Sequence, residues 1–138
     1  MQRFTYLACA LALAAAGCSN STTLGSTPPP SLTVDFTSDT YGPLTPNGSQ
    51  TFAFASNSAG QVAVQVISLT PDSSTPVGLA LGVWDGNNCQ RIVHNDRVVG
   101  GTQVIANATA AGSLCATIYD ATGTLPGPEA FDIQVTHP

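Results

Sequence analysis

Apolar and polar residues alternate in short runs along most of this 138-residue chain. Leu32-Thr33-Val34-Asp35-Phe36 switches at every step, and Thr51-Phe52-Ala53-Phe54-Ala55 sets two phenylalanines on one side. Successive side chains of a strand point to opposite faces, so each such run predicts a strand with one buried face. Gln61 to Leu69 places Val62, Val64 and Val66 together, and Gly78 to Trp84 places Leu79, Leu81 and Val83 inward. Weaker runs follow at Arg91 to His94, Val98-Val99 and Gln103 to Ala106, then firmer ones at Ser113 to Tyr119 and Ala130 to Thr136. Gly42-Pro43, Pro46-Asn47-Gly48, Pro71-Asp72-Ser73-Ser74 and Asp85-Gly86-Asn87-Asn88 supply the turns between them. About eight strands with no sustained 3.6-residue period predict an all-β, antiparallel sandwich over 32–138.

The amino terminus breaks this pattern. Met1-Gln2-Arg3 gives a positive start, and Phe4 to Ala16 is a 13-residue run without charge. A spanning helix needs roughly 20 apolar residues, so the run reads as an export signal over 1–17. Ala15-Ala16-Gly17-Cys18 resembles the lipobox of bacterial lipoproteins. That resemblance implies a lipid on the Cys18 sulfur, cleavage before it and acylation of the new amino group. Ser19, which is not aspartate, resembles the signal for the outer membrane of a Gram-negative cell. The alternative is an ordinary signal cut after Ala16 or Gly17, with Cys18 left as a thiol. From Ser19 to Ser31 the chain reads SNSTTLGSTPPPS. Such a stretch buries too little apolar area to offset its ordering entropy, so 18–31 reads as a lipidated cysteine followed by a disordered tether reaching roughly 20 Å.

Charge narrows the partners. Lysine is absent, and from Cys18 onward Arg91 and Arg97 stand against eight acidic residues, a formal −6. Such a balance opposes phosphate backbones, so no nucleic-acid partner is expected. Cys89 and Cys115 remain in the exported body, where an oxidising compartment predicts that they pair.

The order of strands resembles the bacterial pre-peptidase C-terminal domain, a jelly-roll-like β-sandwich. The matching pieces are Ser49 to Phe54, Val62 to Ile67, Leu79 to Asp85, Ala111 to Asp120 and Phe131 to Pro138. Leu114 stands where that family usually has tyrosine, and Thr75-Pro76-Val77 where it often has aspartates, so no calcium is expected. The resemblance implies an accessory module that brings no catalytic residues.

Chemistry of the chain's own is sparse in the sequence. Asp85-Gly86-Asn87-Asn88 spaces oxygen donors as a calcium loop begins, but Cys89 takes the next ligand place and no glutamate closes the loop. A tight turn is the expected reading. His94 and His137 lack a nucleophile motif, His94 reads as a loop residue between Arg91 and Arg97, and Glu129 is the one glutamate. No cofactor, metal or catalytic residue is therefore assigned. By alternation Trp84 and Tyr119 face away from the leucines, which makes them a candidate platform for a glycan or an envelope protein. The leading expectation is a lipid-anchored, non-enzymatic sandwich module in contact with the membrane through its anchor. Binding through Trp84 and Tyr119 is the alternative, and a small hydrolase or inhibitor is a third.

Overall fold

The computed structural model describes residues 31–138. The signal over 1–17, Cys18 and the tether up to residue 30 lie outside the described residues. The elements are β1 (Leu32–Thr37), α1 (Ser38–Tyr41), β2 (Ser49–Ser56), β3 (Gly60–Thr70), β4 (Val77–Trp84), β5 (Cys89–Val98), β6 (Gln103–Ala108), β7 (Gly112–Tyr119) and β8 (Ala130–His137). They form two four-stranded sheets, ordered β1-β8-β3-β6 and β2-β7-β4-β5, with every pairing antiparallel. Each sheet draws strands alternately from early and late in the chain, the strand order of a jelly roll.

Alternation explains the core. On β3, Val62, Val64, Val66 and Leu69 are buried, and on β8 Val135, Ile133 and Phe131 are buried opposite Val64, Val66 and Leu69. A bulge between Val66 and Ser68 leaves Ile67 exposed and returns Leu69 to the interior. Leaving one residue unpaired shifts the parity of everything after it. Phe36, Phe52 and Phe131 meet at the centre, with the Phe36 and Phe52 rings stacked 4.6 Å apart. Tyr41 on the short helix α1 caps this group edge-on, its ring centroid 4.8 Å from Phe52.

Leu44 and Glu129 join the connections outside the strands through a reciprocal pair of backbone hydrogen bonds, each 2.8 Å long. Asp120 fixes the loop after β7, its carboxylate accepting amide hydrogens from Asn47, Gly123, Thr124 and Leu125. Leu125 is thereby seated as a buried plug, 7% exposed.

Two expectations need correction. Arg91 to Arg97, read as a strand followed by a solvated loop around His94, is one continuous strand, because β5 is an edge whose polar side chains reach water on both sides. Val83, read as inward, keeps the parity of Leu79 and Leu81 but is 44% exposed, since the gap between the sheets opens where β4 ends.

Candidate functional site: a stapled outer face and an apolar cleft

β5 does more than border its sheet. Two strands of separation should place β5 and β7 backbones roughly 9.5 Å apart. Cys89 and Cys115 nevertheless have Cα atoms 5.8 Å apart and share a disulfide. The first half of β5 therefore curls over the outer face of β4. Gly82 lies directly beneath it: a Cβ there would sit 2.7 Å from the Gln90 carbonyl carbon and 2.9 Å from the Arg91 Cα. Only glycine admits a backbone so close. The pairing slips at the same place, with Leu81 opposite Val93 but Gly82 opposite Arg91, so Ile92 is the extra residue and stands 70% exposed. The curl also explains why outward-parity residues Ala80, Cys115 and Thr117 are buried.

Tyr119 closes the other half of that face. Its ring lies on Gly78, where a Cβ would come 2.6 Å from the ring's Cδ2 atom. Arg91 covers the opposite side with its guanidinium carbon 4.5 Å from the ring centroid. The Tyr119 hydroxyl donates to Asp96. Burial, reinforced by the Asp96 carboxylate, pushes that hydroxyl above its ordinary pKa, while Arg91 opposes the shift.

Trp84 is elsewhere. Tyr119 pairs with Gly78 at the start of β4, and Trp84 is six positions further along the same strand, opposite Cys89. At roughly 3.3 Å per residue the two aromatics are about 20 Å apart. The structure thus separates the two members of the expected platform, and Tyr119 has a neighbour on each side of its ring.

Trp84 instead lines an apolar cleft of about 540 Å³ between the sheets. Val62, Leu81, Val83, Ile92 and Leu114 form its floor and sides, and residues 106–113 its far wall. Ala106 and Ala108 face inward there, and their small side chains leave unfilled the space that larger residues occupy elsewhere. None of the lining residues is ionisable; Asn107, Thr109 and Ser113 are the polar ones. Strand alternation does not reveal this cleft; its signal in the sequence is the small-residue run Ala106-Asn107-Ala108-Thr109-Ala110-Ala111-Gly112 opposite large residues.

The remaining candidates are dispersed. Asp85 accepts the amides of Asn87 and Asn88, which hold its carboxyl below the usual range and make it a turn cap. His94 is exposed on β5, whereas His137 is buried on β8 with its ring 5.3 Å from Phe54. Glu129 is 1% exposed and accepts the Asp72 amide at 3.2 Å. A second recess, of about 250 Å³, is lined by Asp39, Asp132 and hydroxyls that include Ser38 and Thr70. Among the described residues no three His, Cys, Asp or Glu side chains gather as a metal set.

No protein-family model matches the sequence, and no curated protein matches it either. Among solved structures, the chain is similar to PliG of Aeromonas hydrophila, a periplasmic lysozyme inhibitor of g-type lysozyme. That likeness has 13% identity and a TM-score of 0.47, over 78% of this chain and 84% of that one. It is also similar to a Bacillus endospore appendage, from a family of disulfide-linked pili. There the identity is 14% and the TM-score 0.41, over 78% of this chain and 81% of that one. Both likenesses are distant, and the jelly-roll assignment rests on the strand order of this chain.

Proposed function

We propose that the protein is an exported lipoprotein, held to a membrane by lipid on Cys18, whose sandwich serves as a non-catalytic structural or interaction module of the pre-peptidase accessory kind. The carrying observation is the Cys89–Cys115 bridge, since intracellular thiols are kept reduced and exported ones pair. Gram-negative outer-membrane placement rests on Ser19 following Cys18. The non-catalytic reading is supported by the dispersal of the titratable groups: His94 and His137 sit in different sheets, and Glu129 is buried in a structural hydrogen bond.

Metabolic labelling with palmitate, followed by mass analysis of the purified chain, tests the anchor. The expected product starts at Cys18, carries acyl groups and loses them in Cys18→Ser. A product that keeps residues 1–17, or an unmodified Cys18, overturns it. Thiol alkylation without reductant should leave Cys89 and Cys115 unlabelled.

The glycan- or protein-contact reading is narrowed by the geometry. Tyr119 lies between Gly78 and Arg91, so a stacking role belongs to Trp84. An envelope-protein crosslink that survives Trp84→Ala unchanged would remove that role.

A further inference from the structure

The cleft beside Trp84 has the size of a small-ligand site and walls without an ionisable group, which excludes recognition by charge and leaves recognition by apolar contact. Its position in the fold narrows the occupant. Leu32, where the sandwich begins, pairs with His137; Val62 stands abreast of His137 on the next strand, because Ala63 pairs with Thr136; and Val62 pairs with Ala106. Leu32, Val62 and Ala106 thus lie in one row across the sheet. Two strand spacings, about 10 Å, separate the point where the chain enters the sandwich from Val62 in the cleft lining, and a third leads to Ala106. Thirteen residues lie between Cys18 and Leu32, a tether of roughly 20 Å by its composition. An anchor at Cys18 would therefore keep this end of the sandwich, and the mouth of the cleft, within reach of the lipid surface. Leu32, Val83 and Ile92 are exposed at the same end, by 45%, 44% and 70%.

On the anchoring reading above, we propose that the cleft takes one acyl chain from a lipid of the membrane beside it. The acyl methylenes lie along Leu81, Leu114 and Trp84, and the polar end stays at the mouth, outside a lining that carries no ionisable residue. The two alanines of the far wall give a slender chain the room that an interior leucine would fill.

Trp84 is the chain's single tryptophan, so its emission reports on the cleft directly. The anchored protein is placed in phosphatidylcholine vesicles with plain or dibrominated acyl chains, bromine being a contact quencher. Bromination is expected to remove more than about half of the emission. Val83→Asp, which sets a carboxylate at the mouth of the cleft on a side chain already exposed, is expected to restore most of it. Equal quenching in both proteins would mean that Trp84 merely touches the surface, and overturns the proposal. Bound protein with no quenching overturns it too, whether the cleft is empty or holds one of the chain's own acyl groups. Protein that fails to sediment with vesicles instead marks failure of the anchor. The unanchored chain is then titrated with brominated lysophosphatidylcholine below its micelle concentration. Saturable quenching at one equivalent, weakened about tenfold or more by Val83→Asp, supports the cleft as an acyl site, and none overturns it.

Discussion

Where β4 begins, Val77 and Leu44 are fully buried, and Leu69, Leu125 and Phe131 are almost so. Where β4 ends, seven residues later, Val83 is 44% exposed and Leu114 and Trp84 are only partly covered. Both ends belong to the same two sheets, so backbone order does not distinguish them. Side-chain volume does. Leu44, Leu69, Leu125 and Phe131 fill one end, while Ala106 and Ala108 face the other, where the bulged Ile92 stands exposed at the border of the cleft. On the β1–β2 side, Phe54 and His137 close that second end, so the opening is confined to the β5–β6 side. Interiors of proteins tolerate few voids, so a gap at one end of an otherwise filled sandwich is where the acyl-chain proposal places its ligand.

The comparison makes its largest prediction at the filled end. Leu44→Ala removes a fully buried side chain from a region with no slack, and the cost is expected to be about 4 kcal/mol. Leu114→Ala, beside a cleft that is already open, is expected to cost about 1 kcal/mol. Denaturant midpoints of the two variants check this directly; equal losses would mean that the two ends are packed alike. Next comes the staple. Replacing Cys89 and Cys115 together by serine frees a loop of 26 residues, and the entropy of that loop corresponds to about 3.5 kcal/mol. Chemical unfolding of the double variant should show it. Gly82→Ala follows at about 2 kcal/mol, because the new methyl group meets the β5 backbone rather than a movable side chain. Its loss should be smaller in the cysteine-free background, where the first half of β5 is free to lift. Additive losses would argue that glycine and disulfide act on different parts of the structure.

Legibility in the sequence followed the same division. The strands of the filled interior were readable, since Val62-Val64-Val66, Leu79-Leu81 and Phe52-Phe54 alternate without interruption and burial enforces the period. The cysteine pair was readable from compartment logic. The curl of β5 was not, because its cause is a close approach between backbones and the sequence offers only a glycine inside an apolar run. Read with Cys89 and Cys115, Gly82 was the available sign that a strand crosses that face. The same holds for Gly78 under Tyr119. A glycine on β4 opposite an aromatic on β7 records a ring lying flat, and alternation alone assigned that ring to open solvent. The cleft was not legible, because alternation reports which face a residue takes and says nothing of how far the opposite wall stands from it.

The smallest expected effect carries the opposite sign and concerns the outer face of the other sheet. Asp132 on β8 pairs across to Thr37, two positions from Asp35, and its Oδ1 atom is shielded from solvent without a hydrogen-bond partner. Asp35 is itself engaged, accepting from the Gln134 amide at 2.9 Å. Burial first, and the Asp35 charge second, hold the Asp132 carboxyl above its usual pKa. A carboxyl raised in the folded state prefers its proton there, so ionising it lowers stability, and the penalty is present at neutral pH and disappears as pH falls through the folded value toward about 3.9. Asp120 is shifted the other way: burial opposes its charge, but four amides outweigh burial and lower its pKa, so its contribution is held at neutral pH and lost in acid. Asp132→Asn removes the destabilising charge while leaving Asp120 in place. The variant is therefore expected to melt slightly above the parent protein at pH 7, with the difference closing below about pH 4. A gain that persists unchanged at pH 3 would assign the effect to the amide's packing, and a loss at pH 7 would mean that the carboxylate is favourably solvated where it stands.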